Sequence, residues 1–401
     1  MSEKFKIGNI CNIKTGKLDA NQFVLGGEYP FYTCAPEPLT IDSYSFDDSV
    51  ILIAGNNAAG NFHINRFDGK FDAYQRTYIL TAKPGFDLDY IFYSLKLELK
   101  RLKEKAQGSQ TKFLTMPLLN DISIAKLDLS SQQKISSVLS ALDSKIELNN
   151  KINSELEAMA KMLYDHWFVQ FDFPFDFAST SLSTNAQCRP DKNGKPYKTS
   201  GGKMVWNEEL KREIPDGWTS GTLLDLGAIV GGSTPPREID DYFTTKGTAW
   251  ITPKDLSLNT GNKFITKGEL DVSDKGIKVA SLNIMPKGTI LLSSRAPIGY
   301  LAISREQVTT NQGFKSFVPK KSYTTEYVYY AIKNMIPTIE NNSAGSTFKE
   351  VSGSTLKAIK ICLPDTGIIK SYTSMEALAK PIKANGINSL KVKKRKFTCL
   401  K

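Results

Sequence analysis

Histidine is nearly absent: His63 and His166 are the only two among 401 residues. A structural zinc site draws four ligands mostly from Cys and His, and a Ser-His-Asp set needs a histidine beside its serine. This inventory argues against both. The five cysteines, Cys11, Cys34, Cys188, Cys362 and Cys399, are scattered with no C-x-x-C pair, which reads as reduced thiols in a cytosolic chain. Long apolar runs are missing as well. Residues 50–54, VILIA, are far too few to span a bilayer, and the opening MSEKFKIGNI lacks the apolar centre of a signal peptide. These absences predict a soluble, cytoplasmic protein with no membrane partner.

Catalytic motifs are lacking too. Gly231-Gly232-Ser233-Thr234 is followed by Pro235-Pro236 rather than by a helix, so it does not read as a cofactor loop. Its counterpart Thr15-Gly16-Lys17 also reads as a turn. No N-P-P-Y or D-P-P-Y segment offers a pocket for a flipped base. Asp191 with Glu209 and Lys211 mimics the loose P-D…E-x-K spacing of metal-dependent nucleases, where carboxylates hold Mg²⁺. Asp191, however, sits in the turn-like DKNGKP without a strand around it. The expectation is no catalytic residue, no metal and no cofactor of the chain's own.

Acid is missing from residues 380–401, which hold eight of the chain's basic residues and explain much of its net +11. Residues 1–170 carry 19 Lys+Arg against 20 Asp+Glu. Basicity therefore permits nucleic-acid binding without demanding it. The run Lys391-Val392-Lys393-Lys394-Arg395-Lys396 reads as a solvated basic end.

What the chain does have is a near-repeat. Residues 106–124, AQGSQTKFLTMPLLNDISI, align with 343–361, SAGSTFKEVSGSTLKAIKI, at a constant offset of 237. Gly108, Ser109, Lys112, Leu119, Ile122 and Ile124 meet Gly345, Ser346, Lys349, Leu356, Ile359 and Ile361. Upstream, Ile7-Gly8-Asn9-Ile10 pairs with Leu226-Gly227-Ala228-Ile229 at an offset of 219, so the second copy is expected to hold 18 more residues between these anchors. Shared ends with divergent middles suggest two similar domains that recognise two different things.

Residues 1–128 alternate short β-like runs with turns. Residues 29–32, 49–54 and 76–81 read as strands and 88–106 as a helix, with Ile91, Phe92, Leu95, Leu99 and Leu102 at helical spacing. Residues 288–293 and 324–334 play the same parts in the second copy. From Ser130 the character changes. Ile135, Leu139, Leu142 and Ile146, then Ile152, Leu156, Met159 and Leu163, step by 4, 3 and 4 along about 40 residues free of Pro and Gly. At about 1.5 Å per residue such a helix spans about 60 Å, the length of a rigid spacer. A connector with Pro174, Pro190, Pro196 and Gly201-Gly202 follows. A second helical segment starts at Asp365, with Pro381 and Gly386 interrupting it. His166, among Trp167, Phe168 and Phe171, reads as a packed helix-end residue.

In this layout the chain resembles the specificity subunit of type I restriction–modification systems. The resemblance covers nearly the whole length and rests on PYKTSGGKMVWNEELKREIPDGW (196–218), LYDHWFVQFDFPF (163–175) and the paired GSQTKF/GSTFKE segments. It implies an α+β fold of two similar strand-rich target-recognition domains joined by long antiparallel coiled-coil spacer helices. The implied parts are 1–129 and 206–364 as recognition domains, 130–170 as central spacer and 365–401 as a second spacer, with 171–205 between them as connector; Pro381, Gly386 and the ending KKRKFTCLK depart from the full-length second helix the family pattern expects. The implied function is non-catalytic recognition of a bipartite site in double-stranded DNA. The implied partners are methyltransferase subunits and restriction/translocase subunits, which alone would use S-adenosylmethionine, ATP and Mg²⁺. Rival readings are a stand-alone nuclease or methyltransferase, a coiled-coil scaffold that reads no DNA, and an inactive truncated allele.

Polar side chains at base edges specify sequence, whereas phosphate contacts set register. Residues common to both copies cannot explain two different half-sites, so Lys112 and Lys349 read as shared phosphate contacts. Candidates for base reading lie where the copies differ. They are Asn56, Asn57, Asn61, Arg66, Gln75 and Arg76 in the first, and Arg237, Lys254, Arg295, Asn311, Gln312 and Lys315 in the second.

Overall fold

The computed structural model describes residues 3–56, 62–105, 113–175, 194–345 and 349–376. Two compact units part between Asn150 and Lys151, within one continuous 36-residue helix, Leu129–Tyr164.

In the first unit a six-stranded sheet runs in the order Cys11–Thr15, Thr77–Ala82, Phe46–Ala54, Ile64–Ala73, Tyr29–Tyr32, Leu39–Ile41. All its pairings are antiparallel except that of Tyr29–Tyr32 with Ile64–Ala73. The VILIA run forms the centre because successive strand residues face opposite sides of a sheet. Ile51 and Ile53 enter one core with Ile91, Leu95 and Leu99 of helix Leu88–Lys105, while Val50 and Leu52 enter another with Tyr32 and Phe71. Covered on both faces, the strand needs apolar residues at consecutive positions. The second unit repeats this plan. Strand Ile290–Ser294 sends Ile290 and Leu292 toward helix Thr325–Asn341 and Leu291 into a separate core with Ala249, Ala302 and Phe314. It is the middle strand of a five-stranded sheet ordered Gly227–Gly231, Lys315–Pro319, Ile290–Ser294, Ile298–Ser304, Phe264–Ile265.

Recurrent backbone bonds align the two copies residue by residue. Ile7 N–H donates to Ile122 O (2.9 Å) as Leu223 N–H donates to Ile359 O (3.0 Å). Lys83 N–H donates to Ile10 O and Lys320 N–H to Leu226 O, both at 2.9 Å. Tyr74 N–H to Tyr32 O (2.9 Å) matches Asn311 N–H to Ile251 O (3.2 Å), and Leu114 N–H to Gly55 O (2.9 Å) matches Val351 N–H to Ser294 O (3.0 Å). The offset is thus 216 at Ile7/Leu223, 219 at Tyr32/Ile251, 239 at Gly55/Ser294 and 237 from Tyr74/Asn311 onward. This corrects the pairing of Ile7-Gly8-Asn9-Ile10. Its counterpart is the short helix Leu223–Leu226, and Gly227 matches Cys11 at the start of the following strand. Between these anchors the second copy is longer by 21 residues rather than 18. Twenty of them fall between Ile251 and Ser294, where helices Pro253–Leu258 and Asp274–Val279 and strands Phe264–Ile265 and Leu270–Val272 stand.

A two-stranded antiparallel ribbon closes each copy: Lys4–Lys6 with Ser123–Ala125, and Thr219–Thr222 with Lys360–Leu363. Asp128 caps the long helix by accepting from Ser131 N–H at 2.9 Å, as a carboxylate does at an N-cap. Gln132, buried in the first turn, accepts from Asp87 N–H (3.0 Å) and donates to Leu127 O (2.9 Å). At the other end Met159 departs from the expected stripe and is exposed. Ala160 and Tyr164 are buried instead, and Tyr372 donates through its hydroxyl to Ala160 O at 3.3 Å. Tyr372 lies on helix Thr366–Glu376; Pro381, Gly386 and the basic end lie outside the described residues. No helix among the described residues is long and apolar enough to cross a membrane.

Candidate nucleic-acid interface

Three chain segments meet at one edge of the first unit's sheet. The central strand runs out into Gly55-Asn56, the turn 74–76 follows strand Ile64–Ala73, and the chain leaving the helix returns at Phe113-Leu114. Gly55 N–H donates to Arg76 O at 2.9 Å, and Asn56 stands opposite Phe113 in an antiparallel bridge. Gly55 has to be glycine, because a Cβ there would lie 2.6 Å from Arg76 O. The Tyr78 hydroxyl donates to Leu114 O at 2.8 Å and pins the returning segment. Gln75 donates to Asp19 Oδ1 at 2.9 Å. Arg76 is exposed, with no side-chain partner among the described residues, and Phe113 is 52% exposed.

The second unit builds the same edge from different side chains. Ser294 N–H donates to Gly313 O at 2.8 Å, and Arg295 stands opposite Glu350. The Glu350 carboxylate lies 3.5 Å from Arg295 Nη1 and 3.9 Å from Lys315 Nζ. Asn311 turns its Oδ1 inward to accept from Gly313 N–H at 3.0 Å. Gln312 accepts from the Thr234 hydroxyl. Beside this turn, Thr252 and Asp255 form a capping box that starts helix Pro253–Leu258 and aims Lys254 outward. Lys254 donates to Glu269 at 2.7 Å, which holds its ammonium above the ordinary lysine range. The Arg237 guanidinium lies 5.6 Å from the Trp250 ring centroid, and the Trp250 indole donates to Ser233 O at 3.1 Å. Lys349, next to Glu350, is exposed.

The profile of the type I restriction modification DNA specificity domain matches this chain twice, over residues 2–158 and 215–371. The chain belongs to that family. The specificity subunit of type I restriction enzyme MjaIX from Methanocaldococcus jannaschii is 45% identical over 168 residues, covering 40% of this chain and 38% of that protein. That of EcoDI from Escherichia coli is 36% identical over 217 residues, covering 53% and 46%. That of HindI from Haemophilus influenzae is 26% identical over 304 residues, covering 67% and 65%. Each match thus spans less than two thirds of the relative's own length. Among solved structures, the S subunit of a type I restriction–modification system from M. genitalium superposes with a TM-score of 0.57 at 15% identity, covering 99% of this chain and 92% of that one, which supports the fold alone.

Within the two specificity-domain copies the sequence candidates fall into groups. Asn56, Gln75 and Arg76 share one edge; Arg295, Asn311, Gln312, Lys315 and Lys349 share the other, with Lys254 beside them. Arg66 stands apart. Its guanidinium donates to Asp89 Oδ1 (2.7 Å), Phe67 O (2.6 Å) and the Ser49 hydroxyl (2.8 Å), which ties two strands to the start of helix Leu88–Lys105. Gln75 and Gln312 turn out to be the same position, related by the offset of 237, and both reach the loop after the first strand of the sheet. By the rule that shared residues cannot separate two half-sites, they drop from the base-reading set. Asn57, Asn61, Lys112 and Asp191 lie outside the described residues. Glu209 bonds Lys360 at 2.7 Å and Lys211 pairs with Glu208 at 3.0 Å, so neither side chain faces an open metal position. His166 is exposed beside Gln170, while Trp167 and Phe168 fill the core. Sequence reading missed Phe113 and Glu350, although the offset of 237 aligns them directly after the shared Lys112/Lys349.

Proposed function

We propose that this chain is a non-catalytic, sequence-specific DNA-binding subunit. It would recognise a bipartite site and direct the methyltransferase and restriction subunits of a type I restriction–modification complex. The duplication carries this reading: one backbone plan occurs twice, with the same three segments meeting at one edge and different side chains on each. Residues 1–129 and 206–364 would each read one half-site, with 130–170 and an antiparallel 365–401 as spacers and 171–205 as connector. S-adenosylmethionine, ATP and Mg²⁺ would belong to the partner subunits, and the complex would work in the cytoplasm.

Mapping methylated adenines in cells with and without this gene tests the proposal. A split motif that vanishes with the gene is the expected result; an unchanged pattern in cells holding the partner subunits would refute it. At residue level, Arg76→Ala and Arg295→Ala are each expected to weaken specific binding by about 1–3 kcal/mol, the scale of one base contact. Titration against specific and scrambled duplexes checks this, and equal affinity and preference in both variants would remove them from the interface.

A further inference from the structure

The two edges differ at an equivalent bridge pair. Asn56 faces Phe113 in the first copy, and Arg295 faces Glu350 in the second, each across an isolated antiparallel bridge. Opposite residues in such a bridge project side by side from one face, with Cβ atoms about 4.5–5.5 Å apart. Each pair therefore acts as a unit. Phe113 keeps 52% of its surface in solvent, beside the buried Leu114. Glu350 holds two cations yet stays 41% exposed, as Arg295 stays 39% exposed. At 3.5 Å the contact of Arg295 Nη1 with the Glu350 carboxylate restrains the guanidinium without covering it.

Resting on the reading of the chain as a DNA-recognition subunit, we propose that these bridge pairs are the discriminating positions of the two halves. In the second copy Arg295 takes a guanine, with Glu350 as the positioning residue. A planar fork matches guanine O6 and N7, and a carboxylate that narrows its rotamers pre-organises that contact. In the first copy the pair takes an A·T base pair. The Asn56 amide matches adenine N6 and N7, and the Phe113 ring gives the thymine methyl an apolar partner. Gln75/Gln312 and Lys112/Lys349, identical in the two copies, hold register for both.

The test is selection from a randomised duplex library by the full chain co-expressed with methyltransferase subunits. Wild type should enrich a split site; enrichment of no split site would refute the recognition reading itself. Glu350→Gln keeps the shape and removes the charge. It is expected to lower guanine preference about 10-fold at one position of one half-site, leaving the other half unchanged. Phe113→Ser is expected to lower A·T preference about 5-fold at one position of the other half-site. A split site in wild type with unaltered preferences in both variants would overturn this proposal alone. So would a Glu350→Gln loss spread equally over all sequences, which marks a merely structural carboxylate.

Discussion

Phe317→Ala is expected to lower the unfolding free energy of the second unit by about 3–5 kcal/mol, the cost of emptying a large aromatic site in a packed core. Phe317 is fully buried on strand Lys315–Pro319, opposite Ile229 on one side and Ile290 on the other. It lies in one core with Tyr327, Val328 and Ile332 of the covering helix. Its equivalent in the first unit is Leu80, also fully buried. Leu80→Ala should cost about 2–5 kcal/mol there. Urea unfolding followed by tryptophan fluorescence reads the second unit, where Trp167, Trp206, Trp218 and Trp250 all lie. A midpoint for Phe317→Ala within error of wild type would show that this strand is not the centre of that core.

Gly16→Ala and Gly232→Ala should each destabilise by about 3 kcal/mol, because overpacking against backbone leaves little to relax. A Cβ on Gly16 would lie 2.1 Å from Ala73 O and 2.4 Å from Tyr74 O. On Gly232 it would lie 2.2 Å from both Thr310 O and Asn311 O, the same carbonyls at the offset of 237. The turn that would be pushed aside carries Gln75 and Arg76 in one copy and Gln312 in the other. Each variant should therefore also disturb binding at its own half-site. Gly231→Ala is the control: nothing stands within 4 Å of its Cβ, and its effect should stay within about 0.5 kcal/mol. Comparable losses at Gly231 and Gly232 would count against the steric account.

Much of this fold was legible in the chain. The offset of 237 could be read because Leu119, Ile122 and Ile124 and their partners Leu356, Ile359 and Ile361 are all buried and all aliphatic. The upstream offset could not. There the copies share only burial, at Ile7 and Ile10 against Leu223 and Leu226, while a chance glycine drew IGNI onto LGAI three residues away. The long helix showed through its 4-3-4 steps, but near Met159 the buried line drifts to Ala160 and Tyr164, where Tyr372 supplies a tertiary contact that no local pattern encodes. The candidate interface was half legible. A search for cations and amides finds Arg76 and Arg295. It cannot see that Arg66 is consumed by Asp89, nor that an acid and a phenylalanine more than fifty residues downstream stand beside Arg295 and Asn56.

The ribbon that closes each copy sets a timetable for synthesis. Lys4 pairs with Ala125, and Thr219 with Leu363. Strands Lys4–Lys6 and Thr219–Thr222 therefore wait for their ribbon partners, Ser123–Ala125 and Lys360–Leu363, to leave the ribosome. At about 5–20 residues per second this is a delay of roughly 6–30 seconds. Until then each unit exposes a sheet whose bounding ribbon does not yet exist. The ribbon of the first copy, Lys4–Lys6 with Ser123–Ala125, can therefore form while most of the second copy is still to be made.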